Sequence, residues 1–100
     1  MFIAMNRFKI AVGREAEFIE IWKSRSSYLN EVAGFREFHL LQGPSDAQST
    51  LFISHSQWAS KQDFEAWTQS EAFQKAHSGA RAAKEIYLGP PQFEGFEAVL

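Results

Sequence analysis

The chain has 100 residues and no cysteine, which excludes disulfides, thiolate metal sites and a cysteine nucleophile. It also lacks an excess of basic residues: 10 Lys and Arg stand against 12 Asp and Glu, so no strongly basic face is available for nucleic acid. No apolar run approaches the length of a membrane span, and the apolar start is interrupted by Asn6, Arg7 and Lys9, unlike a signal peptide. We therefore expect a cytoplasmic protein without a nucleic-acid or membrane partner.

Common hydrolytic and nucleotide-binding motifs are missing as well. The sequence has no glycine-rich phosphate loop, no HExxH, no GxSxG, no paired acids near a histidine, and no flavin or nicotinamide motif. Aromatic residues, by contrast, are abundant: 15 of the 100 residues, ten of them Phe. This is more aromatic surface than a small core needs, and it indicates a flat ligand pocket or a subunit interface.

Hydrophobic periodicity predicts a single α+β domain over residues 1–100. The predicted elements, in order, are a strand (2–12), a helix (14–32), two strands (35–42 and 50–58) joined by a loop (43–49), a helical segment from 61 to about 86 with a break at Ser70, and a strand (92–100). This βαββαβ order is typical of a ferredoxin-like sandwich, an antiparallel sheet with helices on one face. The other face is too apolar to leave in water, which favours a homodimer.

One polar side chain interrupts the apolar face of the first predicted strand. Alternation places Asn6 on the same face as Phe2, Ala4, Phe8 and Ile10. The side chain can be a core asparagine that hydrogen-bonds to backbone, there or near a bulge. It can equally be an amide donor that points into a pocket, and the residues alone support both interpretations.

The stretch 66–81, AWTQSEAFQKAHSGAR, carries the main functional signal. With Ser70 as N-cap, a helix from Glu71 places His77 on a face whose neighbours are mostly small, which leaves a flat floor around the imidazole. A break at Ser70 lets Trp67 face the same cleft. Neutral imidazole is a good iron ligand, although a histidine on a helix face is most often a partly exposed residue without a function.

Two arginines accompany this set. Arg25 lies on the apolar stripe of the first predicted helix, and Arg81 lies one turn from His77. Each can bind an anionic group such as a carboxylate at a pocket mouth. For Arg25 the plainer alternative is a side chain that snorkels to the edge of its helix.

The chain resembles the IsdG-type haem-degrading monooxygenases, a branch of the antibiotic biosynthesis monooxygenase superfamily with a dimeric α+β barrel. The resemblance covers most of the chain. It rests on Asn6 in the first strand, on Gly34-Phe35 leading into the second, and on the pattern AW…S-AF–AH–R over 66–81. The combination of Asn6, Trp67 and His77 is the specific part, because Gly-Phe is common throughout the superfamily.

The resemblance implies a role for each residue. His77 would be the proximal ligand to haem iron through Nε2, Asn6 the distal donor toward iron-bound dioxygen, and Trp67 the side chain that presses on the macrocycle and ruffles it. Arg25 and Arg81 would be candidates for binding the propionates. Haem would be both cofactor and substrate, opened with O₂ and with electrons from a reductase or a small reductant, releasing iron.

Two other functions stay open on the sequence. A haem-binding or trafficking module with little turnover would need His77 but not Asn6. A cofactor-free monooxygenase, or a stress-related dimeric barrel, would bind a small aromatic molecule and no haem.

Overall fold

The structure is a computed structural model that describes residues 1–26, 29–70 and 85–100, without the side chains of residues 24–26. The elements in chain order are β1 (Phe2–Ala11), α1 (Glu15–Ser26), a 3₁₀ turn (Leu29–Glu31), β2 (Phe35–Ser45), β3 (Ser49–Trp58), α2 (Lys61–Thr68) and β4 (Gln92–Glu97). The four predicted strands and the starts of both helices are confirmed.

The strands form one sheet in the order β2-β3-β1-β4. β1 is central and pairs antiparallel with β3 along its full length, from Phe2↔Trp58 to Ala11↔Ser49. β4 pairs antiparallel with the first part of β1, and β2 pairs antiparallel with β3. Both α1 and α2 pack on one face of this sheet. The predicted ferredoxin-like arrangement, with helices on one face, is confirmed.

Two clusters of buried apolar side chains lie between the sheet and the helices. The first cluster consists of Phe8, Ile10, Phe18, Trp22, Phe52 and Ile86. The second cluster consists of Phe2, Ala4, Leu29 and Trp58, with Val32, Phe35, Phe64 and Trp67 packed against it. Phe38, on β2, packs against both clusters. The first cluster belongs to α1 and the second to α2, so each helix covers its own part of the sheet.

The start of α1 is fixed by polar contacts at the end of β1. Gly13 has a φ of +92°, a conformation that glycine adopts without steric cost, and its N–H donates to Glu15 Oε1 at 2.8 Å. The fully buried Thr50 hydroxyl donates to Glu15 Oε2 at 2.8 Å and accepts from the Ser45 hydroxyl at 2.7 Å. The bond from Thr50 is the main reason that the pKa of Glu15 is lowered. α1 is thereby tied to β3.

The opposite, open face of the sheet carries apolar side chains that no element of the described chain covers. Leu41 and Phe96 are each more than 40% exposed there, while Ile3, Met5 and Ile53 are half-buried by their neighbours in the sheet. Such a face on a small domain marks a surface that another molecule covers.

Several predicted boundaries are wrong in detail; β4, for example, ends at Glu97 and not at residue 100. The connection predicted over 43–49 is a tight turn: Asp46 Oδ1 accepts from the N–H groups of Gln48 and Ser49 at 2.8 and 2.7 Å, so the strands continue almost to it. The first helix was predicted to reach residue 32, but α1 ends at Ser26, and a 3₁₀ turn spans Leu29–Glu31. Burial of Leu29 in the second cluster holds that turn against the sheet.

Candidate functional site

A polar strip crosses the helix-covered face of the sheet between the two clusters. It consists of Asn6 on β1 and of Ser54 and Ser56 on β3; Asn6 and Ser54 are partners in the strand register. On that face of β3, Phe52 and Trp58 are the large side chains on either side of the two serines. Six residues of strand span about 20 Å. Over this interval β1 and β3 present only small or polar groups, whereas β2 and β4 place Leu40, Phe38 and Phe93 opposite Ser54, Ser56 and Asn6 in the register.

The residues of the strip differ in whether their side chains form hydrogen bonds. Ser56 is satisfied: its hydroxyl donates to the Ala4 carbonyl at 3.4 Å and accepts from Trp58 Nε1 at 2.9 Å. In the part of the chain that the structure describes, neither the Asn6 amide nor the Ser54 hydroxyl has a side-chain hydrogen bond. Asn6 is half-buried and Ser54 is 6% exposed. These two groups are therefore open to a partner from outside the described chain, a ligand or water, which makes the strip a candidate ligand site.

Aromatic rings of the first cluster stand on one side of the strip. Trp22 of α1 stacks on Phe38, with ring centroids 5.4 Å apart and planes 17° apart. Trp22 also meets Phe8, the next residue after Asn6 on its face, at 5.8 Å in an edge-on arrangement. These rings form an apolar, aromatic boundary on this side of the strip.

Trp67 stands on the other side of the strip, positioned by α2. Ser60 caps α2 by accepting from the Asp63 N–H at 3.2 Å. The helix then places Trp67 against Trp58, with ring centroids 5.3 Å apart. α2 ends at Thr68, just before the predicted break, and the Ser70 hydroxyl donates to the Trp67 carbonyl at 2.6 Å.

The structure describes the side chains of two of the five predicted site residues. Asn6 and Trp67 lie on the same side of the sheet, on the polar strip and beside the second cluster. His77 and Arg81 lie outside the described residues, as does the proposed N-cap role of Ser70 toward residue 71. The backbone of Arg25 belongs to α1, but its side chain is likewise outside the described part.

Sequence reasoning missed Ser54 and the wall formed by Trp22 and Phe38. The signal for Ser54 was present, because strand alternation puts it on the face of Phe52 and Trp58, where a polar side chain is unexpected. Prediction of its position beside Asn6 requires the register between β1 and β3, which the sequence of neither strand shows by itself.

A groove lies away from the polar strip. It is a groove of about 620 Å³ whose lining includes Arg7, Lys9 and Asp46. Arg7 and Lys9 alternate with Asn6 and Phe8 along β1, so the groove belongs to the open face. The groove and the polar strip are therefore on opposite sides of the sheet.

Two searches of the described chain gave negative results. No helix in residues 1–26, 29–70 and 85–100 combines the length and apolar character needed to cross a bilayer. In the same residues, three or more His, Asp or Glu side chains never come together in a way that would hold a metal ion.

Comparison with known proteins identifies relatives of the whole domain. A heme-degrading monooxygenase from Shouchella clausii is 38% identical over 56 residues, which are 56% of this chain and 52% of that protein, so the chain spans about half the length of this relative. A heme-degrading monooxygenase from Bacillus cereus is 30% identical over 88 residues, covering 88% of this chain and 81% of that protein.

A solved structure agrees with these relatives. The heme-degrader MhuD from Mycobacterium tuberculosis, with two hemes bound in its active site, has a TM-score of 0.75 and 27% identity, covering 100% of this chain and 97% of that one. The family model described as antibiotic biosynthesis monooxygenase matches residues 1–79. The predicted fold and the monooxygenase class are confirmed at this level. The chain belongs to the antibiotic biosynthesis monooxygenase family.

Proposed function

We propose that this chain is a haem-degrading monooxygenase, which binds haem and opens the porphyrin ring with O₂ and electrons. The observation that carries the proposal is the Asn6 amide, held between two aromatic clusters without a hydrogen bond among the described residues. The relatives named as heme-degrading monooxygenases support the choice of haem as substrate.

The residues of the strip fit a porphyrin on physical grounds. A porphyrin is flat and apolar over most of its surface; β1 and β3 offer small or polar side chains at the strip, and aromatic rings stand on both sides of it. Asn6 supplies one fixed donor in this setting. A site built mainly of apolar and aromatic side chains with few, well-placed polar groups is typical of cofactor binding.

Some of the roles in haem binding fall on side chains outside the described part of the chain. His77 would hold haem iron through Nε2, and Arg25 and Arg81 would bind the propionates. Trp67 would press on one face of the ring, since its indole is partly exposed beside the second cluster. Asn6 would donate on the oxygen-binding side.

Haem supplies the oxygen chemistry when it is bound. The chain contributes binding, orientation and exclusion of water, which the aromatic walls provide. Electrons would come from a partner reductase or a small reductant, because the sequence carries no flavin or nicotinamide motif. The reaction would release iron.

We further propose that the chain is one domain that works as a cytoplasmic homodimer. Its open face exposes Leu41 and Phe96 beside Ile53 and Met5, and a second copy placed sheet to sheet would cover them. The helix-covered face, with the polar strip, would then stay accessible in both subunits.

Hemin titration tests the haem proposal directly. The purified protein should give a saturable Soret band at one hemin per chain, and His77→Ala should abolish it. His39→Ala is the matched control, because this histidine lies on the open face, on the other side of the sheet from the polar strip, and should leave the titration unchanged. A wild-type protein without a saturable band would refute haem binding and favour the cofactor-free monooxygenase.

Turnover separates an enzyme from a haem carrier. With ascorbate or a reductase in air, the wild type should bleach the Soret band and release iron detectable by a ferrous chelator. Asn6→Ala should bind hemin and lose turnover, whereas full activity in this variant would contradict the distal role. Trp67→Phe should slow ring opening, and an unchanged rate would remove the steric contribution of the indole.

A further inference from the structure

Ser54 and Ser56 are two serines of one strand with different surroundings. Both lie on the helix-covered face of β3, and both are at most 9% exposed. Ser56 uses its hydroxyl twice, toward the Ala4 carbonyl and Trp58 Nε1. Ser54 uses its hydroxyl toward no residue that the structure describes. A structural role accounts for Ser56 but leaves Ser54 unexplained.

The register places Ser54 directly opposite Asn6. Directly opposed residues in an antiparallel pair have Cβ atoms about 4.5–5.5 Å apart and point to the same face. The amide offers two donors and an acceptor, and the hydroxyl offers one donor and two acceptor positions. Two unpaired hydrogen-bonding groups therefore face the same volume from neighbouring strands.

We infer that Ser54 is a second hydrogen-bonding residue of the ligand site, acting beside Asn6 on a small oxygen- or nitrogen-containing ligand held over haem iron. The inference rests on the proposed function, since it takes haem as the group that brings such a ligand to the strip. The surrounding apolar clusters strengthen it, because a hydrogen bond in a dry, low-dielectric site is worth more than one in water.

Azide binding to the ferric haem complex measures this contact without turnover. Azide carries acceptor nitrogens, so a donor from Ser54 should stabilise it. Ser54→Ala should weaken azide affinity about fivefold, the ratio for one hydrogen bond of roughly 1 kcal/mol. Ser54→Thr keeps the hydroxyl and should keep the wild-type affinity. Ser56→Ala is the matched control, and its azide affinity should be unchanged because that hydroxyl is already occupied.

Thermal unfolding of the protein without haem gives an independent readout. Ser54→Ala breaks no hydrogen bond of the described chain, so its midpoint should equal or exceed that of the wild type. Ser56→Ala leaves the buried Trp58 N–H without its acceptor and should unfold at a lower temperature. A merely structural Ser54 would behave like Ser56 in this measurement.

The outcomes are distinct. A saturable Soret band with a Ser54→Ala azide affinity equal to that of the wild type overturns the inference and leaves the proposed function standing. A drop in the Ser54→Ala unfolding midpoint comparable to that of Ser56→Ala also overturns it. A wild type that binds no hemin overturns both proposals together.

Discussion

Replacement of Asn6 by valine should raise stability and abolish function. The amide makes no side-chain hydrogen bond in the described chain, so its removal breaks no bond of the folded state. Complete burial of a valine side chain stabilises by about 1.5–3 kcal/mol, and a half-buried position gives roughly half of that. Valine also favours strands by a few tenths of a kcal/mol over asparagine. The sum is about 1 kcal/mol in favour of the variant.

For a domain of this size, about 1 kcal/mol raises the unfolding midpoint by roughly 4–8 °C. Differential scanning calorimetry of wild type and Asn6→Val at one protein concentration measures the shift, because the midpoint of an oligomer depends on concentration. Hemin titration and Soret bleaching of the same samples measure function, and bleaching should stop while hemin still binds.

A lower midpoint for Asn6→Val would refute the reasoning. It would show that the amide is a structural core group, which is the other interpretation of a single polar residue on an apolar strand face. Ser56→Ala serves as the reference for such a group: the buried N–H of Trp58 loses its acceptor, and the cost should be about 1–3 kcal/mol. A gain in stability at a position that function requires would be typical of a binding site.

Two further predictions concern the fold. Thr50→Val removes the main cause of the lowered Glu15 pKa. A carboxyl group whose pKa is lower in the folded state stabilises the protein at pH values above its unfolded pKa, and this contribution is lost as pH falls through the folded pKa. In urea titrations the stability deficit of the variant should therefore be full at about pH 7 and shrink toward about pH 3. A deficit that is constant with pH would contradict this. Gly95→Ala puts a Cβ 2.7 Å from Cζ of the buried Phe2 and should cost about 1–3 kcal/mol in the same titrations, whereas Gly89→Ala, with no atom within 4 Å, should cost less than about 0.5. Equal effects of the two alanines would contradict the close packing.

The order of strands and helices could be predicted because each element has its own hydrophobic period. The boundaries failed where a tertiary contact decided them. The turn at Asp46 is short because one carboxylate satisfies two backbone N–H groups, and β2 passes through Pro44 because it is an edge strand with a register shift between Gln42 and Ser45. The pattern Gly-Pro-Ser-Asp predicts a loop, and it shows neither the hydrogen bonds of Asp46 nor the edge position of β2.

The candidate site was predictable only where local sequence patterns place a residue, and not where a tertiary contact does. Alternation alone places Asn6 on an apolar face, and the capping signal at Ser60 fixes the helix that carries Trp67. Neither the hydrophobic period nor the spacing of residues predicts that Ser54 lies beside Asn6, because that position depends on how two strands distant in sequence are aligned. The stacking of Trp22 on Phe38 depends likewise on the packing of α1 over β2.

The division of the apolar interior into two clusters has a consequence for how the molecule opens. Small polar groups on β1 and β3 separate the clusters, and among the described side chains Phe38 packs against both. With so little contact between the clusters, we expect the part of the sheet under α2 to open locally while the part under α1 stays closed. Amide hydrogens of α2 should then exchange with solvent earlier than those of α1. A planar ligand seated on the polar strip would touch both parts and join them into one cooperative unit, so that its binding would slow exchange in both helices at once.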